Sequence, residues 1–259
     1  MIQVDDVHVG FDGNEILHGI SFAVEPGRVA GYIGPNGAGK TTTMRLLTGT
    51  LAPDSGRVVV GGVDVAKDAV GAKRRFGFVP EHGHLYESFS PEEYLRFIGR
   101  MHGLGEKPLA ERAGAMLSFW GLEANALQPM ASFSKGMKQK VLISAALLHD
   151  PPVLLLDEPL SGLDAYAVLQ VRALLRALAR QGTTVFYSSH LLDAVEKVAD
   201  QVILIRDGAI LADGSPAQIL EAAGEGSLEG AFSRLTSAAD AEAEAEALIA
   251  SAFGRAESI

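Results

Sequence analysis

The sequence predicts an α/β fold: a three-layer core, an antiparallel β-subdomain beside it, and an inserted α-helical subdomain. Three observations carry this. Short, near-continuous apolar runs recur at Val29–Ile33, Phe76–Val79, Val153–Leu156, Thr184–Tyr187 and Val202–Ile205. Runs of that length without alternation suit strands covered on both faces of a parallel sheet. Helical patterns separate them, at residues 39–50, 163–180 and 191–198, and strand alternating with helix implies a layered core. Residues 91–149 break the alternation, reading almost wholly as helix.

Taken in order, the first 25 residues and Arg57–Gly61 read as strands with no helix between them, which predicts an antiparallel sheet beside the core. The inserted helices fall near 91–102, 109–120 and 136–149. In 163–180, Leu163, Ala167, Val171, Leu174, Leu175 and Leu178 share one stripe, the mark of a helix packed on a sheet. Asp207-Gly208 supplies the positive φ angles of a tight turn and predicts a hairpin near the end of the core. Beyond Leu220 the composition shifts. Gly224-Glu225-Gly226 reads as a linker and Ser227–Thr236 as a short helix with Leu228, Phe232 and Leu235 inward. The Ala/Glu tract from Ala238 to Ala250 has high helix propensity but little apolar face, and reads as a frayed helix or a disordered tail. The expected division is residues 1–220, with a helical subdomain at about 85–150, followed by 221–259.

With 47% apolar residues in 259, the chain can bury a sizeable core. Lys and Arg number 22 against 32 Asp and Glu, a net charge of −10, so nucleic acid phosphates and anionic lipid headgroups are not its expected partners. Eight acids and two bases fall after residue 220, leaving a mild −4 on the body, where a local basic groove can still form. The absence of cysteine excludes disulfides, thiolate metal sites and thiol catalysis. The N-terminus lacks the positive and apolar segments of a signal peptide. No apolar run nears the ~20 residues that span a bilayer. The expectation is a soluble intracellular chain.

Two motifs carry chemistry. Gly34-Pro35-Asn36-Gly37-Ala38-Gly39-Lys40-Thr41 matches the phosphate-binding pattern G-x-x-x-x-G-K-[ST], with Thr42 following. Glycines let successive N–H groups turn toward one anion, and the helix that follows adds its positive end. Lys40 is suited to reach the outer phosphates and the Thr41 hydroxyl to ligate Mg2+. Downstream, Val153-Leu154-Leu155-Leu156-Asp157-Glu158 puts two carboxylates at the C-terminal end of a buried strand, the edge where open α/β sheets bind ligands. Asp157 can orient Mg2+, and Glu158 can take a proton from a water attacking the γ-phosphate.

With Phe133-Ser134-Lys135-Gly136-Met137, Leu156-Asp157-Glu158-Pro159, Ser161-Gly162-Leu163-Asp164 and His190 in order behind the glycine loop, the chain resembles the nucleotide-binding subunit of an ABC transporter over about residues 1–220. The resemblance implies a P-loop NTPase core of the RecA-like kind, with ATP and Mg2+ as cofactors. It implies two copies, identical or paralogous, sandwiching two ATP head to tail, so that Ser134, Lys135, Gly136 and Met137 of one contact the γ-phosphate held by the other. Ser134 is a good N-cap, which adds a second set of free backbone donors. His190 would contact the γ-phosphate and orient water, Asp164 would lie at the subunit interface, and Phe11 stands where the family stacks a ring on adenine. In most members a Gln that touches Mg2+ and water stands where this chain has Glu81. Lys135 and Met137 replace the first Gly and the Gln of the usual Leu-Ser-Gly-Gly-Gln. A carboxylate at 81 can ligate metal but cannot donate. These departures resemble the bacterial branch that exports drugs, antibiotics or polysaccharides.

The function expected is thus an ATPase that drives a separate transmembrane permease, held at the inner face of the membrane through it. Leu85-Tyr86-Glu87-Ser88-Phe89 would dock the permease or, alternatively, fill the helical subdomain. His82-Gly83-His84 has no further His or Cys at ligand spacing and is not read as a metal site. The alternative function is a soluble ATPase of a non-transport assembly such as iron–sulfur cluster biogenesis.

Overall fold

The computed structural model describes residues 1–235 apart from 84 and 191. Among the described residues ten strands run in chain order as β1 (Ile2–Phe11), β2 (Asn14–Val24), β3 (Val29–Ile33), β4 (Ser55–Val60), β5 (Val63–Asp64), β6 (Phe76–Val79), β7 (Val153–Asp157), β8 (Thr184–Ser189), β9 (Gln201–Arg206) and β10 (Ala209–Gly214). The α-helices of the described residues are α1 (Lys40–Leu47), α2 (Ala69–Lys73), α3 (Pro91–Met101), α4 (Glu106–Trp120), α5 (Lys135–Leu147), α6 (Ala165–Arg180), α7 (Leu192–Glu196), α8 (Pro216–Ala223) and α9 (Leu228–Leu235).

The central sheet has the order β10-β9-β3-β8-β7-β6 and is parallel except for β10 at its edge. Its strands are buried on both faces, and alternate residues feed two different cores. Leu154 and Leu156 pack with the helices from α3 to α9, whereas Val153 and Leu155 pack with α1 and the second sheet. This is why the apolar runs do not alternate. The second sheet, β2-β1-β4-β5, is antiparallel. It was legible in the N-terminal residues and in Arg57–Gly61. The short β5 and α2 that follow Arg57–Gly61 were not.

The inserted helices form where expected. α3 begins with a capping box, Ser90 with Glu93, and with Pro91 in its first turn. α5 presses on the sheet so closely that a Cβ on Gly77 in β6 would stand 1.9 Å from the Ala146 carbonyl oxygen. Past residue 214 the chain continues helical. α8 runs Pro216–Ala223, straight through the composition shift at Leu220, and Gly224 ends it in the left-handed conformation. α9 then packs Leu228 and Ala231 into the same core as α6 and α7. The expected helix over Ser227–Thr236 is therefore seen as α9, with Thr236 outside the described residues. The Ala/Glu tract at 238–250 also lies outside them. No helix of the described residues is long and apolar enough to cross a membrane.

Candidate active site

β3 ends at Ile33 and the chain curls through Gly34–Gly39 into α1. Gly39 takes φ +108°, a left-handed conformation costly for other residues, and no side chain caps the first turn of α1. Its amides are left for a ligand. A Cβ on Gly34 would meet the Ile205 carbonyl oxygen at 2.3 Å, so the loop sits hard against β9. The β9–β10 turn at Asp207-Gly208, both residues at positive φ, clamps it: the Gly208 N–H donates to the Ala38 carbonyl at 3.2 Å. Lys40 folds back to donate to the carbonyls of Gly34 (2.6 Å) and Pro35 (3.0 Å). Burial pulls its pKa down, while the carboxylates of Glu158, Asp157 and Glu81 act in the opposite sense.

Asp157 ends β7 and is 7% exposed; its Oδ1 accepts from the Ser188 hydroxyl on neighbouring β8. Burial raises the Asp157 pKa, against the Ser188 hydrogen bond. Glu158 follows at φ +48°, an uncommon conformation for a side chain of its size. Its N–H is held by the Ser188 carbonyl and hydroxyl, both at 3.2 Å. Its Oε2 lies 2.9 Å from Nδ1 of His190, which follows β8.

The structure gathers most of the expected residues into one cleft of about 650 Å3: Phe11, Gly34, Pro35, Asn36, Gly37, Gly39, Lys40, Thr41, Thr42, Glu81, Asp157, Glu158 and His190. Ala38 is buried beneath it. Phe11, at the tip of the β1–β2 hairpin with Asp12-Gly13 as its turn, is 44% exposed and so is not a core residue. Ile16 also lines the cleft. Sequence reasoning passed over it, although strand alternation places it opposite buried Leu17.

Ser134, Lys135, Gly136 and Met137 do not line this cleft. Ser134 caps α5, accepting from the Met137 N–H at 3.2 Å. The first turn of α5 rests on the loop after Glu158. Lys135 Nζ donates to Ser161 Oγ at 2.8 Å, and buried Gln139 donates to the Pro159 carbonyl at 3.2 Å. Asp164 caps α6, accepting from the Ala167 N–H at 2.8 Å. In the Leu85–Phe89 segment, Leu85 and Phe89 pack against the core, as the subdomain-filling alternative expects, while Tyr86 is 59% exposed.

The family described as ABC transporter matches residues 17–161, more than half of the chain. The chain belongs to the ABC transporter family. Its ATP-binding subunits include the linearmycin resistance ATP-binding protein LnrL of Bacillus subtilis (strain 168), 36% identical over 215 residues, covering 83% of this chain and 69% of that protein. The Nod factor export ATP-binding protein I of Paraburkholderia xenovorans (strain LB400) is 34% identical over 219 residues, covering 85% and 72%. A solved ATP-binding subunit of an ABC transporter superposes with a TM-score of 0.86 at 32% identity, over 91% of this chain and 99% of that one. This ABC subunit is an ATPase with the P-loop fold expected of it, and its ligand is ATP.

Proposed function

We propose that this ABC ATPase powers export through a separate membrane permease, two copies closing head to tail around two ATP. The observation that carries the proposal is that β7 and β8 bring Glu158 and His190 together at the mouth of the glycine cradle.

In this reading the backbone N–H groups of the Gly34–Thr42 loop, Pro35 having none, cradle the phosphates and Lys40 supplies their countercharge. Phe11 offers its exposed ring to the adenine. Glu158 is the general base that takes the proton of the attacking water, while His190 holds that carboxylate in place and faces the γ-phosphate. The donors near the phosphates are hard oxygens, the Thr41 hydroxyl and the carboxylates of Asp157 and Glu81, which fits Mg2+ arriving with its nucleotide. Among the described residues no group of three His, Cys, Asp or Glu could hold a metal by itself, so Mg2+ held by Thr41, Asp157 and Glu81 would depend on the nucleotide for further ligands. When bound, Mg2+ neutralises charge on the phosphate oxygens.

Ser134, Lys135, Gly136 and Met137 sit outside their own chain's cleft, which suits a role across a subunit interface, with Asp164 alongside. Lys135, bonded to Ser161, would bring an ammonium group near the opposing phosphate. Exposed Tyr86 and half-exposed Phe97, in edge-on contact at 5.8 Å, offer the permease an apolar landing on the helical subdomain. That attachment would hold the subunit at the inner face of the membrane. Export is supported by the departures at Glu81, Lys135 and Met137 and by relatives named for antibiotic resistance and Nod factor export. The same relatives disfavour the soluble assembly ATPase.

The test is co-purification. The chain should bring down a multi-helix membrane protein, and Glu158→Gln with Mg·ATP should run as a dimer in gel filtration with light scattering. A chain that stays monomeric under those conditions refutes the sandwich, and recovery of a soluble scaffold alone refutes the transporter role.

A further inference from the structure

Ser188 sits in the middle of the central sheet, pairing in register with Asp157 of β7 on one side and Tyr32 of β3 on the other. Strand alternation puts Ser188 on the face of Phe186, and Asp157 on the face of Val153 and Leu155. Those three apolar residues pack toward α1 and the second sheet. Two polar side chains thus end one apolar face side by side, where β3 runs into the glycine loop. Ser188 is 0% exposed. A hydroxyl buried so fully is costly unless it is bonded.

This hydroxyl is bonded in both senses. It donates to Oδ1 of Asp157 and accepts from the Glu158 N–H at 3.2 Å. The direction follows from the partners: an amide N–H can only donate, which leaves the hydroxyl proton for the carboxylate. The bond to the amide also steadies a costly backbone. Glu158 stands at φ +48°, a conformation that a residue of its size keeps only when its surroundings impose it. At its far end, Oε2 of the same glutamate lies 2.9 Å from Nδ1 of His190. β8 and the residue just after it therefore grip Glu158 twice, by its backbone through Ser188 and by its carboxylate through His190.

We infer that Ser188 is a positioning residue for ATP hydrolysis: its single hydroxyl bridges Asp157 and the Glu158 backbone, and so fixes the metal-orienting carboxylate and the base relative to each other. The inference rests on the roles proposed above for those two acids. Without the bridge, Asp157 loses the donor that aims it and Glu158 loses one of the two acceptors that hold its N–H in the left-handed turn.

Ser188→Ala removes the bridge without adding bulk. Its kcat should fall about 10- to 100-fold, the scale for losing a partner that orients a metal ligand, while KM for ATP stays within about twofold. Ser188→Thr keeps the hydroxyl and should recover most of the rate. Tyr187→Phe serves as the structural control. It deletes a buried hydroxyl from the adjacent position of β8, one directed at the Ala194 carbonyl, and should leave kcat at the wild-type level. Nucleotide titration gives a readout apart from turnover. In Ser188→Ala, ATP affinity without Mg2+ should match the wild type, whereas the Mg2+ concentration for half-maximal ATP binding should rise about tenfold. Wild-type kcat or wild-type Mg2+ demand in Ser188→Ala overturns the inference, as does an equal loss of kcat in Tyr187→Phe. Glu158→Gln, measured in parallel, separates this inference from the reading beneath it. If Glu158→Gln is slow and Ser188→Ala is not, the positioning role alone falls. If Glu158→Gln keeps the wild-type rate, the base assignment falls and takes the positioning role with it. Thermal melts verify folding. Should the extra methyl of threonine unfold that variant, the comparison of Ser188→Ala with Tyr187→Phe decides.

Discussion

Nδ1 of His190 lies 2.9 Å from Oε2 of Glu158, across the ends of two neighbouring parallel strands. The glutamate side chain is 11% exposed and the imidazole 62%. The carboxylate is thus shielded and oriented, while the histidine faces the open cleft. Glu158→Gln keeps the shape of the pair but loses its basicity. ATP binding should persist while phosphate release falls at least ~100-fold, the low end for loss of a general base. Single-turnover hydrolysis measured beside nucleotide titration separates the two effects.

Lys40→Ala removes the cation from a cradle whose other donors are backbone amides. ATP affinity should fall by at least about tenfold, the scale of one charge-assisted hydrogen bond. Titration with a fluorescent ATP analogue checks this, and unchanged affinity removes Lys40 from phosphate binding.

Asp157→Asn should separate stability from activity. Burial raises the Asp157 pKa in the folded protein, so its contribution to stability is fully present below the unfolded carboxyl range and is lost as pH rises through the folded value. At neutral pH the ionised side chain therefore opposes folding. The asparagine can still accept from Ser188 without a buried charge, so the variant should melt higher at pH 7 and lose this advantage as pH falls toward 4. Its Mg2+-dependent turnover should drop.

His149 offers a second pH handle. Burial, with His102 stacked on it at 3.8 Å between ring centroids, pushes its pKa down to about 4. A histidine depressed in the fold takes up its proton more readily when unfolded. Stability should therefore fall between pH about 6.5 and about 4 and level off below. His149→Gln should flatten that slope in denaturant titrations across the window.

Gly77→Ala tests the seam between α5 and the sheet. The added methyl would collide with the Ala146 backbone, and overpacking of this kind costs about 1–3 kcal/mol. A lower melting temperature, with the ATP affinity of the remaining folded protein unchanged, is expected.

Much of this was legible in the residues. The doubly covered strands announced themselves as unbroken apolar runs, and the glycine loop and the Asp157-Glu158 pair stand at strand ends, where such sheets bind ligands. What escaped the reading depends on contacts distant in sequence. α8 crosses residue 220 because its helix is set by a cap at Ser215 and by burial of Ile219 and Ala223, not by composition. The clamp of Gly208 on Ala38 joins residues 170 positions apart. The tie from Lys135 to Ser161 links two motifs that read as independent. Asp164 doubles as an N-cap, a role its motif does not advertise.

That tie between the start of α5 and the loop leaving β7 has a kinetic corollary. In the head-to-tail pair proposed above, the helix offered to one nucleotide would be fastened, through Lys135 and Ser161, to the segment that carries the proposed base of the other. Any displacement of the segment as phosphate departs must tug the helix, and so retune its neighbour's grip. Two hydrolytic sites joined in this way would not act independently, and each rate would depend on the state of the other site.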